Sequence, residues 1–199
     1  MIERLIANAR SYSFAPYEAA GIGFRGMLSI SRGQVEAGIA TLRRGVDTLH
    51  ANRQELQVPV LLGGLAGGLA ASERFDEALA VIDEAIAKAE QNKESFFSLA
   101  EFWRIKGEIL LSASASNVSA ADRCFLQAIE QASRQGALSW ELRAATSLAR
   151  SHVRQNRLDE ARSVLTPLYD RFTEGFDSCD LRAARSLLDK IEHLQTAAE

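Results

Sequence analysis

Residues 107–128, GEILLSASASNVSAADRCFLQA, set out a pair of helices joined by a turn of small residues. The second half carries a triplet of small, large and small residues, Ala121, Phe125 and Ala128, spaced four and then three residues apart. Residues at i, i+4 and i+7 share one face of a helix. Small end members let a neighbouring helix approach closely, and the large residue fills the space between them. The stretch therefore predicts two closely packed helices.

The same triplet occurs three more times along the chain. The further copies are Gly38/Leu42/Gly45, Ala78/Ile82/Ala85 and Ala161/Leu165/Leu168. The first members of successive triplets lie 40, 43 and 40 residues apart, and Leu168 is the one departure from a small last member. A fixed period of roughly 40 residues is typical of a helical repeat array. The sequence therefore predicts an all-α fold.

Apolar spacing, glycines and prolines place the repeats. We predict four helix pairs at about 16–52, 54–92, 94–136 and 138–173, in a single domain over 1–199. A leading helix falls within 1–14, and a capping helix at about 178–195 would bury the open end of the array. Pro16 begins a helix, Gly33 and Gly136 end helices, and Ser119 or a neighbour caps one. Pro167 is expected to kink the second helix of the fourth pair or to end it early.

Charge and residue usage exclude several classes of protein. The chain has 26 acidic and 23 basic residues, a formal net charge of −3, so it lacks a global basic field for nucleic acid. Two cysteines cannot form a disulfide framework, and three histidines far apart have no metal-ligand spacing. We expect no cofactor, no metal and no direct nucleic-acid contact. Reduced thiols fit a cytoplasmic location.

Neither a secretory signal nor a membrane segment is expected. The start, MIERL, has no long apolar core after a basic head. The longest weakly polar run, residues 58–71, is glycine-rich and shorter than the ~20 residues that a membrane-spanning helix needs.

The first helix of the second repeat contains Gly63, Gly64, Gly67 and Gly68. Each glycine inside a helix costs roughly 1 kcal/mol relative to alanine, so something must offset the cost. The favoured interpretation is very close helix approach within the array. A phosphate-cradling loop is disfavoured, because no strand pattern precedes the glycines and no Gly-Lys-Ser/Thr follows them. The third interpretation is a ligand or a second chain resting on the bare backbone.

The residues show no arrangement for catalysis. A nucleophile would need a neighbouring histidine and an orienting carboxylate. Cys124, next to Phe125, is predicted to be a buried, inert thiol, whereas Cys179 lies in an exposed turn beside acids that disfavour the thiolate. His152 falls at a packing position. The aromatic residues near the start of the third repeat are interpreted as core: Phe96, Phe97, Phe102 and Trp103. We therefore predict that the protein is not an enzyme.

Trp103, Gly107, Ala121, Phe125 and Ala128 resemble the tetratricopeptide repeat. That repeat has glycine at its eighth place, a small residue at its twentieth, a large one at its twenty-fourth and a small one at its twenty-seventh. The helices here are longer. The resemblance implies a right-handed superhelix of antiparallel helix pairs, here about four pairs plus leading and capping helices.

Three further segments carry a more particular resemblance: AEFWRIKGE at 100–108, SWELRAATSLAR at 139–150 and FTEGFD at 172–177. They resemble the C-terminal repeat region of large bacterial regulators, in which an adenylate or guanylate cyclase domain, or a winged-helix DNA-binding domain, precedes a signal-transduction ATPase. The resemblance covers nearly the whole chain and implies a regulatory arm. No cyclase aspartate pair or Walker lysine can be placed here, so those activities do not carry over.

In repeats of this kind the first helix of each pair lines the concave face. The inward positions here are Glu101, Arg104 and Glu108 in the third repeat and Arg143, Thr146, Arg150 and Arg154 in the fourth. Arg143, Arg150 and Arg154 share one helix face. Arginine forks suit carboxylates and phosphates, so the predicted guest is an acidic peptide or an acidic loop of a partner.

The alternative is that these arginines pair with Glu101, Glu108 and Glu141, or simply face solvent. On the first interpretation the chain is a non-enzymatic interaction or regulatory module that binds a peptide or a neighbouring domain in its concave groove. The upstream ATPase or cyclase domains are candidate partners in cis, and self-association stays open. The alternative function is a small-ligand sensor that uses the glycine-rich second repeat.

Overall fold

The computed structural model describes residues 1–54, 56–91 and 98–197. These ranges consist of α-helices joined by short connections, and no strand occurs in them. The helices are α1 (Ile2–Ser11), α2 (Ala15–Ser31), α3 (Val35–Ala51), α4 (Val58–Ala71), α5 (Phe75–Gln91), α6 (Leu99–Ala113), α7 (Val118–Arg134), α8 (Leu138–Arg154), α9 (Leu158–Tyr169) and α10 (Cys179–Thr196). A 3₁₀ turn, Ala115–Asn117, precedes α7. The predicted all-α fold is confirmed. None of these helices is long and apolar enough to cross a bilayer.

The helices form antiparallel pairs that stack into a superhelix. The pairs are α2–α3, α4–α5, α6–α7 and α8–α9, and each second helix also packs against the next first helix. The first helices α2, α4, α6 and α8 pack side by side, and α10 continues this row by packing against α8. Within the described ranges the second helices make no comparable contact with one another. The array therefore curves toward the first helices, which form its concave face.

The observed helices fall close to the predicted repeats, with two differences at their ends. α2 begins at Ala15, one residue before Pro16. α9 ends at Tyr169, two residues after Pro167, rather than near residue 173. Pro167 has no N–H to bond the carbonyl of Ser163, which weakens the last turn of the helix. The predicted start of the third repeat at 94, with Phe96 and Phe97, lies outside the described residues. The division into one domain with these repeat bounds stays a prediction.

Glycine turns end two of the helices as predicted, whereas the N-cap of α7 is the nearby Asn117 and not Ser119. Gly33 and Gly136 follow α2 and α7 with φ of +82° and +65°, the left-handed region that glycine adopts readily. α7 begins at Val118, so Ser119 lies inside its first turn. The N-cap residue Asn117 makes no side-chain cap bond; its amide donates instead to the carbonyl of Leu110 at 3.2 Å.

The large members of the four triplets are fully buried, as the small–large–small pattern requires: Leu42, Ile82, Phe125 and Leu165. The small members set the helix separation. A Cβ atom on Gly38 of α3 would lie 2.7 Å from the carbonyl oxygen of Gly26 on α2. The backbones of these two helices therefore touch at a crossing that no larger residue would permit.

Side chains of neighbouring helices fill the space beside three of the four α4 glycines. An added Cβ would lie 2.8 Å from Phe102 at Gly63, 2.8 Å from Met27 at Gly64 and 2.6 Å from Ile30 at Gly68. Close helix approach therefore explains these three positions. At Gly67 a Cβ would meet nothing within 4 Å, and the residue is exposed.

This difference predicts opposite effects of alanine at two of these glycines. Gly67→Ala should raise the free energy of unfolding by about 1 kcal/mol, because alanine has the better helix propensity and meets no neighbour. Gly63→Ala should lower it, because its methyl group would collide with Phe102. Urea unfolding followed by circular dichroism measures both. Destabilisation by Gly67→Ala as large as that by Gly63→Ala would contradict the prediction.

α10 closes the C-terminal end of the array. Its apolar residues pack against α8 and α9: Leu181, Ala184, Leu187 and Ile191. Other side chains of the helix are exposed and charged, and Arg185 pairs with Asp189 at 3.0 Å. The Ser178 hydroxyl caps the N-terminus by accepting from the Leu181 N–H at 3.4 Å. The helix thus covers the core with one face and presents a polar face to solvent.

Candidate functional site

Two adjacent first helices carry all of the predicted partner-binding residues. α6 supplies Glu101, Arg104 and Glu108, and α8 supplies Arg143, Thr146, Arg150 and Arg154. Since α6 and α8 pack side by side on the concave row, these residues lie on neighbouring helices of one surface. Their environments differ, and the differences separate structural residues from available ones.

Glu101 is the centre of an ion-pair network that binds two of the four arginines. Its carboxylate accepts from Nε and Nη2 of Arg104 at 2.9 and 2.8 Å and lies 2.9 Å from Nη2 of Arg143. Arg143 also reaches Asp180 of α10, with 3.6 Å between Nε and Oδ1. The Glu101 and Arg104 side chains are each 17% exposed. Arg104 and Arg143 therefore join α6, α8 and α10 and are already neutralised.

Electrostatics keep Arg104 charged despite its burial. Burial would lower the pKa of Arg104, but the hydrogen bond and charge of Glu101, together with the charge of Glu108, raise it above its ordinary value. Glu108 lies 3.4 Å from Nη1 of Arg104 and also accepts from the Ser147 hydroxyl at 2.7 Å. This side of the network is thus satisfied within the protein.

Thr146 and Glu141 do not have the roles that the sequence suggested. Thr146 is buried, and its hydroxyl donates to the carbonyl of Leu142 at 2.7 Å, so it has no free donor for a partner. Glu141 is also buried and pairs with Arg171 at 3.0 Å rather than with an arginine of α8. The pairing alternative therefore holds only for Arg143 with Glu101, because Glu108 pairs with Arg104 of α6 and Glu141 pairs with Arg171.

Arg150 and Arg154 remain available. Both are exposed, and neither forms an ion pair or a side-chain hydrogen bond with another described residue. They border a groove of about 340 Å³ between α8 and α10. The groove is lined by Arg150, Val153, Arg154, Ala183, Ser186, Leu187 and Lys190. We call these seven residues the α8–α10 groove.

Sequence reasoning missed the contribution of α10 to this surface. Lys190, which is exposed and has no ion pair among the described residues, faces the same groove as the two arginines. Asp180 holds Arg143. The sequence predicts a capping helix there, but nothing in the periodicity of that helix indicates which of its polar residues lie beside α8. That placement depends on how α10 packs.

In the part of the chain that the structure describes, the cysteines and His152 form no catalytic arrangement. Burial raises the pKa of the Cys124 thiol, as expected for an inert cysteine, and Cys179 is exposed. His152 is buried, with Nε2 at 3.8 Å from Oδ2 of Asp122. The Ser151 hydroxyl donates to Asp122 at 2.5 Å and not to the histidine, so no nucleophile–base pair forms. In residues 1–54, 56–91 and 98–197, no group of three His, Cys, Asp or Glu side chains could hold a metal ion.

Two solved structures share the fold at low sequence identity. The apo form of RapI is 12% identical with a TM-score of 0.70, over 92% of this chain and 49% of RapI. BtubC (BKLC) from P. vanneervenii is 13% identical with a TM-score of 0.71, over 99% of this chain and 89% of BtubC. The chain thus spans about half the length of RapI. No family model and no curated protein matches the chain. The two structures are helical-repeat proteins, and the likeness shows that this chain has a superhelical fold of the tetratricopeptide type.

Proposed function

We propose that this chain is a non-enzymatic interaction module of a bacterial signalling or transcription regulator, and that it binds an acidic segment of another protein or domain on its concave face. One observation carries the proposal: Arg150 and Arg154 are exposed on the row of first helices and have no ion-pair partner among the described residues, while Arg104 and Arg143 beside them are neutralised. A guanidinium offers paired N–H donors that match a carboxylate.

The ion pairs of Arg104 and Arg143 connect the helices that surround Arg150 and Arg154. Arg143 links α8 to Glu101 of α6 and to Asp180 of α10, so the surface that presents Arg150 and Arg154 is connected on both sides. A partner then binds a surface that is already ordered, which reduces the entropic cost of association. Because the arginines are exposed, binding should weaken as ionic strength rises.

The partner in cis is a finer part of the proposal. The resemblance to the C-terminal arm of cyclase- and ATPase-linked regulators makes the upstream domains of such a regulator the first candidates. An acidic loop of those domains that docks near Arg150 in only one state would bias the regulator toward that state. Self-association also stays a prediction, which sedimentation equilibrium of the purified chain would measure.

Charge reversal of the two available arginines tests the proposal. We expect Arg150→Glu/Arg154→Glu to lose partners that the wild-type chain retains from an extract of its source cells, because carboxylates would then face carboxylates. The matched control is Arg44→Glu/Arg123→Glu, which makes the same change in charge at exposed positions of the second helices α3 and α7. Quantitative mass spectrometry of the retained proteins gives the result, with helical content checked by circular dichroism. If both double variants retained the same partner proteins in equal amounts, the proposal would be contradicted.

A small-ligand sensor is the second candidate, favoured by Gly67. This residue is the α4 glycine whose missing side chain no neighbour replaces, and it is exposed on a helix of the concave row. A metabolite that rests there should raise the melting temperature of the wild-type chain. The rise should disappear in Gly67→Leu, whose side chain would occupy the same space. A rise of equal size in both proteins would place the ligand elsewhere.

A further inference from the structure

The α8–α10 groove has an apolar floor between two charged edges. Val153 and Ala183 are half-buried and Leu187 is 7% exposed, so these three side chains form a surface that solvent reaches only in part. Arg150 and Arg154 stand one helical turn apart on the α8 edge, and Lys190 stands on the α10 edge. The groove therefore combines apolar contact area with three positive charges.

Within the described part of the chain, no carboxylate pairs with these three cations. Asp189, next to Lys190 in sequence, pairs with Arg185, and Asp180 lies beside Arg143. Three unpaired positive charges around one groove are notable in a chain whose net charge is −3. An anionic guest would thus find cations that are not already engaged, and electrostatic complementarity would favour its approach.

An adjoining hollow of about 130 Å³ shares Arg150 and Ala183 with the groove but has a different charge balance. The other arginines that line it, Arg104 and Arg143, already contact Glu101. A carboxylate placed there would compete with these existing pairs. The open cations of the α8–α10 groove therefore determine where an acidic guest binds.

From this combination we infer that the groove is the binding site of a short acidic segment, which places one apolar side chain on the floor and carboxylates on both sides of it. The inference rests on the proposed function and adds the location and the chemistry of the guest. A purely acidic segment would leave the apolar floor without contact. A purely apolar one would cover the cations without pairing them, which is costly. The volume of about 340 Å³ suits a short segment rather than a folded domain.

Peptide binding tests the chemistry of the guest. The probe is the fluorescein-labelled peptide Gly-Asp-Asp-Leu-Asp-Asp-Gly, measured by fluorescence anisotropy at low and at high salt. Its controls replace Leu by Ser or all Asp by Asn. We expect the probe to bind about tenfold more tightly than either control, a difference of about 1.4 kcal/mol. Equal binding of the Leu and Ser peptides would overturn the inference, because it would indicate diffuse charge attraction. Displacement by inorganic phosphate with no dependence on Leu would overturn it as well.

Two variants test the location. Lys190→Glu removes the cation of the α10 edge, and Ala183→Trp fills the floor; each should weaken probe binding about tenfold or more. The matched control is Arg182→Glu, the same charge change at an exposed position of α10 that does not line the groove. Its binding should match the wild type, and circular dichroism should show the same helical content in all three. Equal affinities of Lys190→Glu and Arg182→Glu would overturn the location.

These outcomes distinguish the proposed binding site in the α8–α10 groove from the proposed function. If Arg150→Glu/Arg154→Glu loses its cellular partners while Lys190→Glu and Ala183→Trp keep them, the proposed interaction function is supported and the groove is not the binding site. If the probe binds as expected but retention of the cellular partners does not depend on Arg150 and Arg154, the groove is a binding site and the proposed function is wrong.

Discussion

Phe125→Ala is expected to lower the free energy of unfolding by about 3–5 kcal/mol, the usual cost of removing a fully buried phenylalanine side chain. The Phe125 ring is 0% exposed and lies in the core of the α6–α7 pair. It occupies the space beside Gly107, where a Cβ would lie 2.8 Å from Cδ1 of the ring and closer still to Cε1. Urea unfolding gives the loss, provided that the dependence on denaturant stays unchanged.

The contact between Gly107 and Phe125 makes the two positions interdependent. Gly107→Ala alone should destabilise by about 1–3 kcal/mol, because its methyl group collides with a ring that cannot rotate away in the core. In a Phe125→Leu background the smaller side chain leaves room for that methyl group. The double variant should therefore lose less stability than the sum of the single variants. Strict additivity would show that the contact does not limit the packing of α6 on α7.

Gly38→Ala should destabilise by about 3 kcal/mol, because the obstacle is backbone. A Cβ at Gly38 would lie 2.7 Å from the carbonyl oxygen of Gly26 and 3.0 Å from the backbone nitrogen of Ile30. No rotamer change removes these atoms, so α2 and α3 would have to separate along their crossing. The control is Gly67→Ala, the same substitution at a position where an added Cβ would have no neighbour within 4 Å. Thermal and urea unfolding of both variants measure the difference.

Removing a side chain near Gly38 should not rescue this variant. Ile30 also lies near the added methyl group, with Cγ1 at 2.5 Å. Ile30→Ala would remove that contact but leave the carbonyl of Gly26 in place. Gly38→Ala/Ile30→Ala should therefore be no more stable than Gly38→Ala. A return to wild-type stability would mean that the crossing is limited by side chains, as at Gly107.

Helix positions and their buried faces were predictable from sequence because they depend on local spacing. The small–large–small triplets name the residues that pack inside each pair, and Leu42, Ile82, Phe125 and Leu165 are all fully buried. Turn glycines mark helix ends because glycine adopts positive φ at little cost, as at Gly33 and Gly136. The exact end of α9 was less predictable, since Pro167 allows either a kink or an early stop.

For the candidate site, the sequence predicted where the arginines lie but not which of them form ion pairs. Residue spacing placed Arg104, Arg143, Arg150 and Arg154 on the first helices, where the structure also has them. It did not tell which of them are free. That depends on which carboxylates neighbouring helices bring near: Glu101 of α6 reaches Arg143 of α8 across the concave row, and no acid of the described residues reaches Arg150.

The position of Lys190 at the groove could not be predicted from sequence either. Its own helix has a clear apolar face, yet the spacing within α10 does not reveal that Lys190 borders the groove with Arg150 and Arg154. The sequence was enough to establish the repeat, the buried faces and the positions of the arginines, because each depends on residues within a few turns of one another. The pairing of Arg104 and Arg143, the burial of Thr146 and the cationic groove arise between helices. They depend on the separation and rotation of packed helices, which local spacing does not encode.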